Sequence, residues 1–267
     1  MVKVTLKDGS IKEYKKGTTV EEIVASIGSG LLKAALAAKL NGKVADLRTP
    51  VNEDCSLEVL TFDDADGKWA LRHTGSHILA QAVKRLYPDA KLAIGPAIET
   101  GFYYDIDWDK SFSDEDLAAI EKEMENIVKE DLRLERFELP RSEALDLMGR
   151  MGENYKVELI NDLPEDAVIS FYKQGEFVDL CAGPHAPSTG KVKALKLLSV
   201  AGAYWRGNEK KKMLQRIYGT AYTKKSELEE YLNMLEEAKR RDHRKLGKEL
   251  DLFSLHEEGP GFPFFHP

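Results

Sequence analysis

The pattern of apolar and polar positions changes period several times along the chain. Val2, Val4 and Leu6 alternate with polar residues, the two-residue period of a half-buried strand. Asp8-Gly9 marks a hairpin turn, because glycine accepts the positive φ such turns need, and a second strand carries Ile11 and Tyr14. At Thr19 the period becomes helical. Thr19 and Glu22 form a capping box, and Val20, Ile23, Val24 and Ile27 fall on one face. The run SLEVLTF, residues 56–62, returns to alternation. A hairpin, a helix and further strands within residues 1–62 predict a small α+β domain of β-grasp type.

Residues 62–68, FDDADGK, are polar and turn-rich and predict a boundary. Ile78, Leu79, Ala82, Val83 and Leu86 then recur at helical spacing up to Pro88. AIGPAIETGFYYDID, residues 93–107, contains glycine-bounded apolar runs that read as strands. Residues 113–138 predict one long acidic amphipathic helix with a solvated charged face. EFVDL, residues 176–180, and KMLQRIYGTAY, residues 212–222, read as strands. From Lys224 a second helical pattern runs into KRRDHRK, the most basic cluster in the chain. Its Lys239, Arg240, Arg241 and Arg244 are either a solvated face or contacts to the phosphates of a nucleic acid. The last residues, HEEGPGFPFFHP, are apolar and aromatic, with Pro260, Pro263 and Pro267 close together, and predict the first step into a further domain.

Composition narrows the classes. A net charge of −7 excludes a wholly electrostatic nucleic-acid binder but leaves room for a local basic face. No apolar run approaches the roughly 20 residues of a membrane span, and the alternating start lacks the apolar core of a signal peptide. Two cysteines far apart, Cys55 and Cys181, do not make a disulfide framework and suit a reducing cytosol. Nothing matches a P-loop or another nucleotide-binding glycine loop.

Two residue pairs carry the candidate chemistry. His73 and His77 lie four apart within a helical pattern, which puts both imidazoles on one face. Cys181 and His185 lie four apart across a Gly-Pro turn in DLCAGPHAPSTG, beside Asp179. Three histidines and a cysteine match the ligand set of a tetrahedral zinc site. The same side chains equally suit a general base and hydrogen-bond donors around a hydrolytic water, and spacing alone leaves both open.

RHTGSHILAQAVKRLYP, AIGPAIETGFYYDID, YKVELI, FVDLCAGPH and AGAYWRGNEKKKMLQRIYGTAY resemble, in that order, the editing domain of the bacterial threonyl-tRNA synthetase family. The first sixty or so residues resemble the family's TGS domain, and RRDHRKLGKELDLF through GPGFPFFHP resembles its linker helix and the start of its class II catalytic domain. The resemblance implies a TGS domain at 1–62, an editing domain at 63–224, a linker helix at 225–241 and the truncated start of a catalytic domain at 242–267. The implied activity is hydrolysis of mischarged seryl-tRNA(Thr), the intact enzyme joining threonine to that tRNA with ATP.

By the same resemblance His73 and His77 hold or deprotonate the water, Lys156 supplies positive charge, and Asp179 pairs with the substrate ammonium. Cys181 and His185 line the pocket, and Tyr104 contacts substrate. No cofactor is expected here, since Lys156 would add a positive charge beside an ion. A zinc, if held, would take His73, His77, Cys181 and His185. ATP, magnesium and the family's structural zinc belong to a catalytic domain beyond residue 267. The expected partner is tRNA(Thr), in the cytoplasm and away from membranes, with this part a monomer and the intact enzyme a homodimer. The competing readings are a non-catalytic tRNA-binding module and a metal-dependent hydrolase of another ester.

Overall fold

A computed structural model describes residues 1–257, 259 and 261–266; the side chains of Arg244, Lys248 and Leu255 fall outside that description, as do Pro260 and Pro267. The chain divides into two compact units, Met1–Thr223 and Lys224–Pro267.

The first unit opens with β1 (Val2–Leu6) and β2 (Ile11–Tyr14), paired antiparallel, then β3 (Thr18–Thr19), α1 (Val20–Ile27) and α2 (Ser29–Ala34). After these come β4 (Ala37–Leu40), β5 (Lys43–Ala45), β6 (Pro50–Val51) and β7 (Cys55–Leu60). The sheet order is β2-β1-β7-β4-β5, with β1 and β7 parallel at its centre, as a β-grasp domain requires. Thr19 caps α1 through the capping box read from the sequence. Val20, Ile23 and Val24 of that helix are buried against Val2, Val4 and Leu57 of the sheet.

α3 (Ala65–Leu86) begins inside the polar run that predicts a boundary. The Asp64 carboxylate accepts from the Thr61 N–H at 2.8 Å, so this run is a tight turn into the helix rather than a spacer. Fourteen of the 22 residues of α3 are buried, which makes it a core helix rather than a surface one. It packs on a sheet of order β14-β15-β10-β8, built from β8 (Lys91–Leu92), β10 (Gly101–Asp107), β14 (Ala194–Tyr204) and β15 (Met213–Tyr222), with β9 (Ala97–Ile98) added to β10. Gly75 permits this contact: a Cβ there would lie 2.7 Å from the Phe102 ring of β10. A second sheet, β11 (Leu134–Glu138), β12 (Ser170–Gln174) and β13 (Phe177–Leu180), packs against α5 (Arg141–Met151) and α6 (Asn154–Asp162) through Ala144, Met148, Ile160 and Phe171.

One sequence expectation is corrected. Residues 113–138 are not one helix: α4 (Asp114–Glu130) ends at Asp131, whose φ of 50° is left-handed, and β11 pairs with β12. The apolar residues reveal the switch in retrospect, because Leu132 and Leu134, then Phe137 and Leu139, step by two rather than three or four. The acidic run masked that change of period.

The second unit holds α7 (Lys225–Arg240), α8 (His243–Glu249) and a hairpin of β16 (Phe253–Leu255) with β17 (Pro263–Phe265). α7 buries no residue, and Phe262, Phe264 and Phe265 are exposed. Among the described residues no helix is long and apolar enough to cross a membrane.

Candidate active site

Four elements of the first unit deliver the sequence-predicted side chains to one place. α3 presents His73 and His77 from one face, their ring centroids 5.3 Å apart. β13 carries Asp179 and runs into the loop of Cys181 and His185. Lys156 comes from α6 and Tyr104 from β10. The loop is tied to β12 by the Cys181 N–H on the Ser170 carbonyl at 3.0 Å and the Ser170 hydroxyl on the Cys181 carbonyl at 2.7 Å. Gly183 sits at φ +76°, and a Cβ there would lie 2.0 Å from the Tyr172 hydroxyl oxygen, so this turn accepts only glycine.

Ligand-type atoms of His73, His77, Cys181 and His185 all lie within 4.8 Å of one another. The Cys181 Sγ is 3.3 Å from Nε2 of both His73 and His185. Surrounding bonds set the tautomers. His73 Nδ1 faces the Pro184 carbonyl at 3.3 Å, which can only accept, so Nδ1 carries the proton. The Thr74 hydroxyl donates to the Ala70 carbonyl at 2.9 Å and accepts from the Ala186 N–H at 2.9 Å. With its one proton so used, it accepts from His185 Nδ1 at 3.2 Å. Both imidazoles therefore turn a bare Nε2 toward one thiol, which has one proton to give. His73 and Cys181 are half-buried while His77 and His185 are buried, so the cluster meets solvent at His73 and Cys181.

Burial keeps these groups neutral. It lowers His73 to about 4, against the opposing pull of the Pro184 carbonyl and Asp179, and lowers His77 to about 3. His185 is held well below the ordinary histidine value, again by burial first. Burial pushes the Cys181 thiol up to about 12, so it is protonated rather than a nucleophilic thiolate. His77 Nδ1 is buried with no hydrogen-bond partner among the described residues.

Beside the cluster is a buried charged triad. Lys156 Nζ lies 2.6 Å from Asp179 Oδ1 and donates to the Tyr104 hydroxyl at 2.9 Å, and that hydroxyl donates to Asp179 Oδ2 at 2.5 Å. His77 Nε2 is 3.8 Å from the same Oδ2. Burial alone would raise the Asp179 carboxyl, but the Lys156 ammonium and the hydrogen bonds from Lys156 and Tyr104 outweigh it and hold it below the usual range. Asp179 thus meets Lys156 and Tyr104 directly, a partnership that spacing did not reveal.

The donor set fits a zinc-sized cation: three neutral imidazoles and a thiol that would release its proton on binding. The charge of Lys156, which argues against an ion at sequence level, is already balanced by Asp179. Thr74, the Pro184 carbonyl, Tyr172 and Asp46 were not singled out by sequence. Only Thr74 and Pro184 stood inside quoted motifs, and a tautomer-setting bond leaves no trace in spacing.

The basic cluster lies apart in chain order, at the end of α7. Arg240 pairs with Glu236 at 2.9 Å and with Glu237 at 3.4 Å, and Arg241 pairs with Glu237 at 3.3 Å, all exposed. Lys239 is exposed, and the side chain of Arg244 lies outside the described residues.

Two domain families match the chain: the TGS domain over residues 2–61, and the threonyl and alanyl tRNA synthetase second additional domain over residues 169–218. The latter stretch contains Asp179, Cys181 and His185. Over all 267 residues the chain is 71% identical to a threonine--tRNA ligase of Clostridium acetobutylicum and 70% identical to one of Clostridium botulinum strain Loch Maree. It spans 42% of the length of each of these curated relatives. The chain thus joins a TGS domain to a threonyl and alanyl tRNA synthetase second additional domain, and over its whole length it is similar to part of a threonine--tRNA ligase.

Proposed function

We propose that this chain hydrolyses the ester joining serine to the terminal adenosine of tRNA(Thr), the editing activity of a threonyl-tRNA synthetase. Serine and threonine differ by one methyl group, and binding selection on one methyl supplies only about 1–3 kcal/mol, roughly 10–200-fold. A synthetase for threonine therefore gains from a second site that takes the smaller ester. The intact enzyme's joining of threonine to tRNA with ATP belongs to the same proposal, as do a cytoplasmic location and a monomeric state for this part.

The observation that carries this reading is the unequal supply of protons around Cys181. One thiol faces two bare Nε2 atoms at 3.3 Å, so one imidazole keeps its lone pair. His73, at the solvent side, is the one a water can reach. In the reaction His73 Nε2 takes a proton from that water as its oxygen attacks the ester carbonyl carbon. The bond from that carbon to the ribose oxygen then breaks, and the ribose oxygen receives the proton. Two of the three Lys156 N–H groups are met by Asp179 and Tyr104, and the third is assigned to the developing oxyanion. Asp179 holds Lys156 and Tyr104 in place and offers its remaining lone pairs to the substrate ammonium. Cys181 and His185 shape the wall that admits the seryl and excludes the threonyl side chain. His77 orients the water.

No step above needs a metal. Were zinc bound by His73, His77, Cys181 and His185, it would supply a water with a pKa near 7 instead. The test of the editing reading is release of labelled serine from seryl-tRNA(Thr) by the chain, with and without a chelator. Release that survives chelation supports the reading as stated. No release opposes it in favour of a tRNA-binding module, and release abolished by chelation replaces the side-chain base with a metal.

A further inference from the structure

We propose that the N-terminal β-grasp domain supplies a positioning residue to the editing site: Asp46 holds the Gly183–His185 loop in register over α3. The inference rests on the editing reading above. Its basis is a pair of hydrogen bonds that cross from one domain to the other. Asp46 Oδ1 accepts from the backbone N–H of His185 at 2.8 Å, and Asp46 Oδ2 accepts from the Tyr172 hydroxyl at 2.5 Å. Tyr172 in turn supports the loop from below. Its ring meets the His185 ring edge-on at 4.4 Å between centroids, and its hydroxyl occupies the space that a Cβ on Gly183 would need. One carboxylate therefore fixes both the backbone of a cluster residue and the ring beneath it.

Asp46 is itself well anchored. The next residue, Leu47, is buried in the β-grasp core, and its carbonyl accepts from the Glu21 N–H at the start of α1 at 2.6 Å. The two domains share further contacts. Leu36 packs into the core of α3 and β10, Lys39 pairs with Asp66 at 2.7 Å, and the Lys191 ammonium caps the Leu32 and Lys33 carbonyls at 2.9 and 2.8 Å. Those contacts join the domains, and among the described residues the hydrogen bond linking the β-grasp domain to the catalytic loop is the one Asp46 accepts. Without its carboxylate the His185 N–H loses its acceptor, and the Nε2 of His185 is no longer held against Cys181. The thiol proton is then left to His73, whose Nε2 no longer keeps its lone pair for water.

The experiment compares the parent chain with Asp46→Ala, Asp46→Asn, Tyr172→Phe and Lys39→Ala in hydrolysis of seryl-tRNA(Thr), resolving kcat from KM. Asp46→Ala is expected to lower kcat by about 10- to 100-fold, as displacement of a supporting group does, with KM little changed. Asp46→Asn, which keeps an acceptor for His185, should recover most of that loss, and Tyr172→Phe should fall between. Lys39→Ala weakens the domain contact alone and should match the parent. Amide exchange at His185 should quicken in Asp46→Ala and not in Lys39→Ala. Parent-like kcat in Asp46→Ala, or equal losses in Asp46→Ala and Lys39→Ala, would overturn the inference while leaving the editing reading standing. A parent chain inert toward seryl-tRNA(Thr) would overturn both.

Discussion

His73 is the member of the cluster with both solvent access and a bare Nε2, so its replacement separates chemistry from folding. His73→Ala is expected to cost on the order of 10²–10⁴-fold in ester hydrolysis, the usual worth of a positioned base. Melting temperature should barely move, because the ring is half-buried and its one protein donor bond is to the long-range Pro184 carbonyl. A large loss of thermal stability with hydrolysis intact would make His73 a structural residue. Thr74 behaves oppositely, being buried and bonded three ways. Thr74→Val leaves the Ala186 N–H without its acceptor, so about 1–3 kcal/mol of stability should be lost in denaturant unfolding, and hydrolysis should fall with it.

The buried imidazoles also set a pH dependence of folding. Their folded-state values, about 4 for His73 and about 3 for His77, lie below the ordinary histidine value of 6.5. Between those limits the unfolded chain binds protons that the folded chain refuses. Stability therefore rises with pH through that window and is lost as pH falls from 6.5 toward 4. Thermal unfolding at pH 5 and pH 7 should show the lower midpoint at pH 5, and His77→Gln should narrow the gap. An unchanged gap in that variant would mean that His77 does not contribute.

At the level of elements, the chain was most legible where local chemistry and burial agree. The capping box at Thr19 and Glu22, the alternation of Val2 and Val4, and the helical spacing of His73 and His77 each carry their own signal, and each is present in the structure. α4 and β11 were read as one element because their charges are uniform while only the apolar period changes. The place of Lys156 in the site was legible through resemblance alone, and its pairing with Asp179 was not read from the sequence at all. It depends on how α6 packs on the second sheet, and no local pattern encodes a contact between residues 23 positions apart on different elements. The Asp46 contact, spanning 139 positions, lies further still from anything periodicity records.

α7 is the element whose function depends most on its surroundings. Arg240 and Arg241 already pair with glutamates of the same exposed helix, which reduces what each offers a phosphate. If the cluster binds tRNA, neutralising Lys239, Arg240, Arg241 and Arg244 together should weaken binding and flatten its dependence on salt, each lost phosphate contact lowering the logarithmic slope by about 0.7–0.9. Filter-binding titrations across a range of salt concentrations measure both. Unchanged affinity and slope would leave the cluster as a solvated face.

At the scale of the whole molecule, the β-grasp domain and the region carrying the site pack into one unit, joined by apolar contacts around Leu36, Ala37, Leu60 and Ala70. That packing excludes a simple arrangement of independent beads on either side of the turn-rich run at residues 62–68. It also bears on metal. Four donors lie within 4.8 Å, yet a zinc must displace the Cys181 thiol proton, which burial holds up at about 12. Protein purified without added metal is expected to carry far less than one zinc per chain on elemental analysis. Stoichiometric zinc would contradict that expectation and make the four residues ligands.

The most direct test of editing is the ratio of rates at which the chain frees serine and threonine from the same tRNA(Thr). Both esters share every contact except the methyl group, so the ratio isolates the pocket's size selection from tRNA binding. Serine should be released at least about tenfold faster, the lower bound expected for discrimination on one methyl group. Equal rates, or faster release of threonine, would contradict an editing site built to spare the correct product.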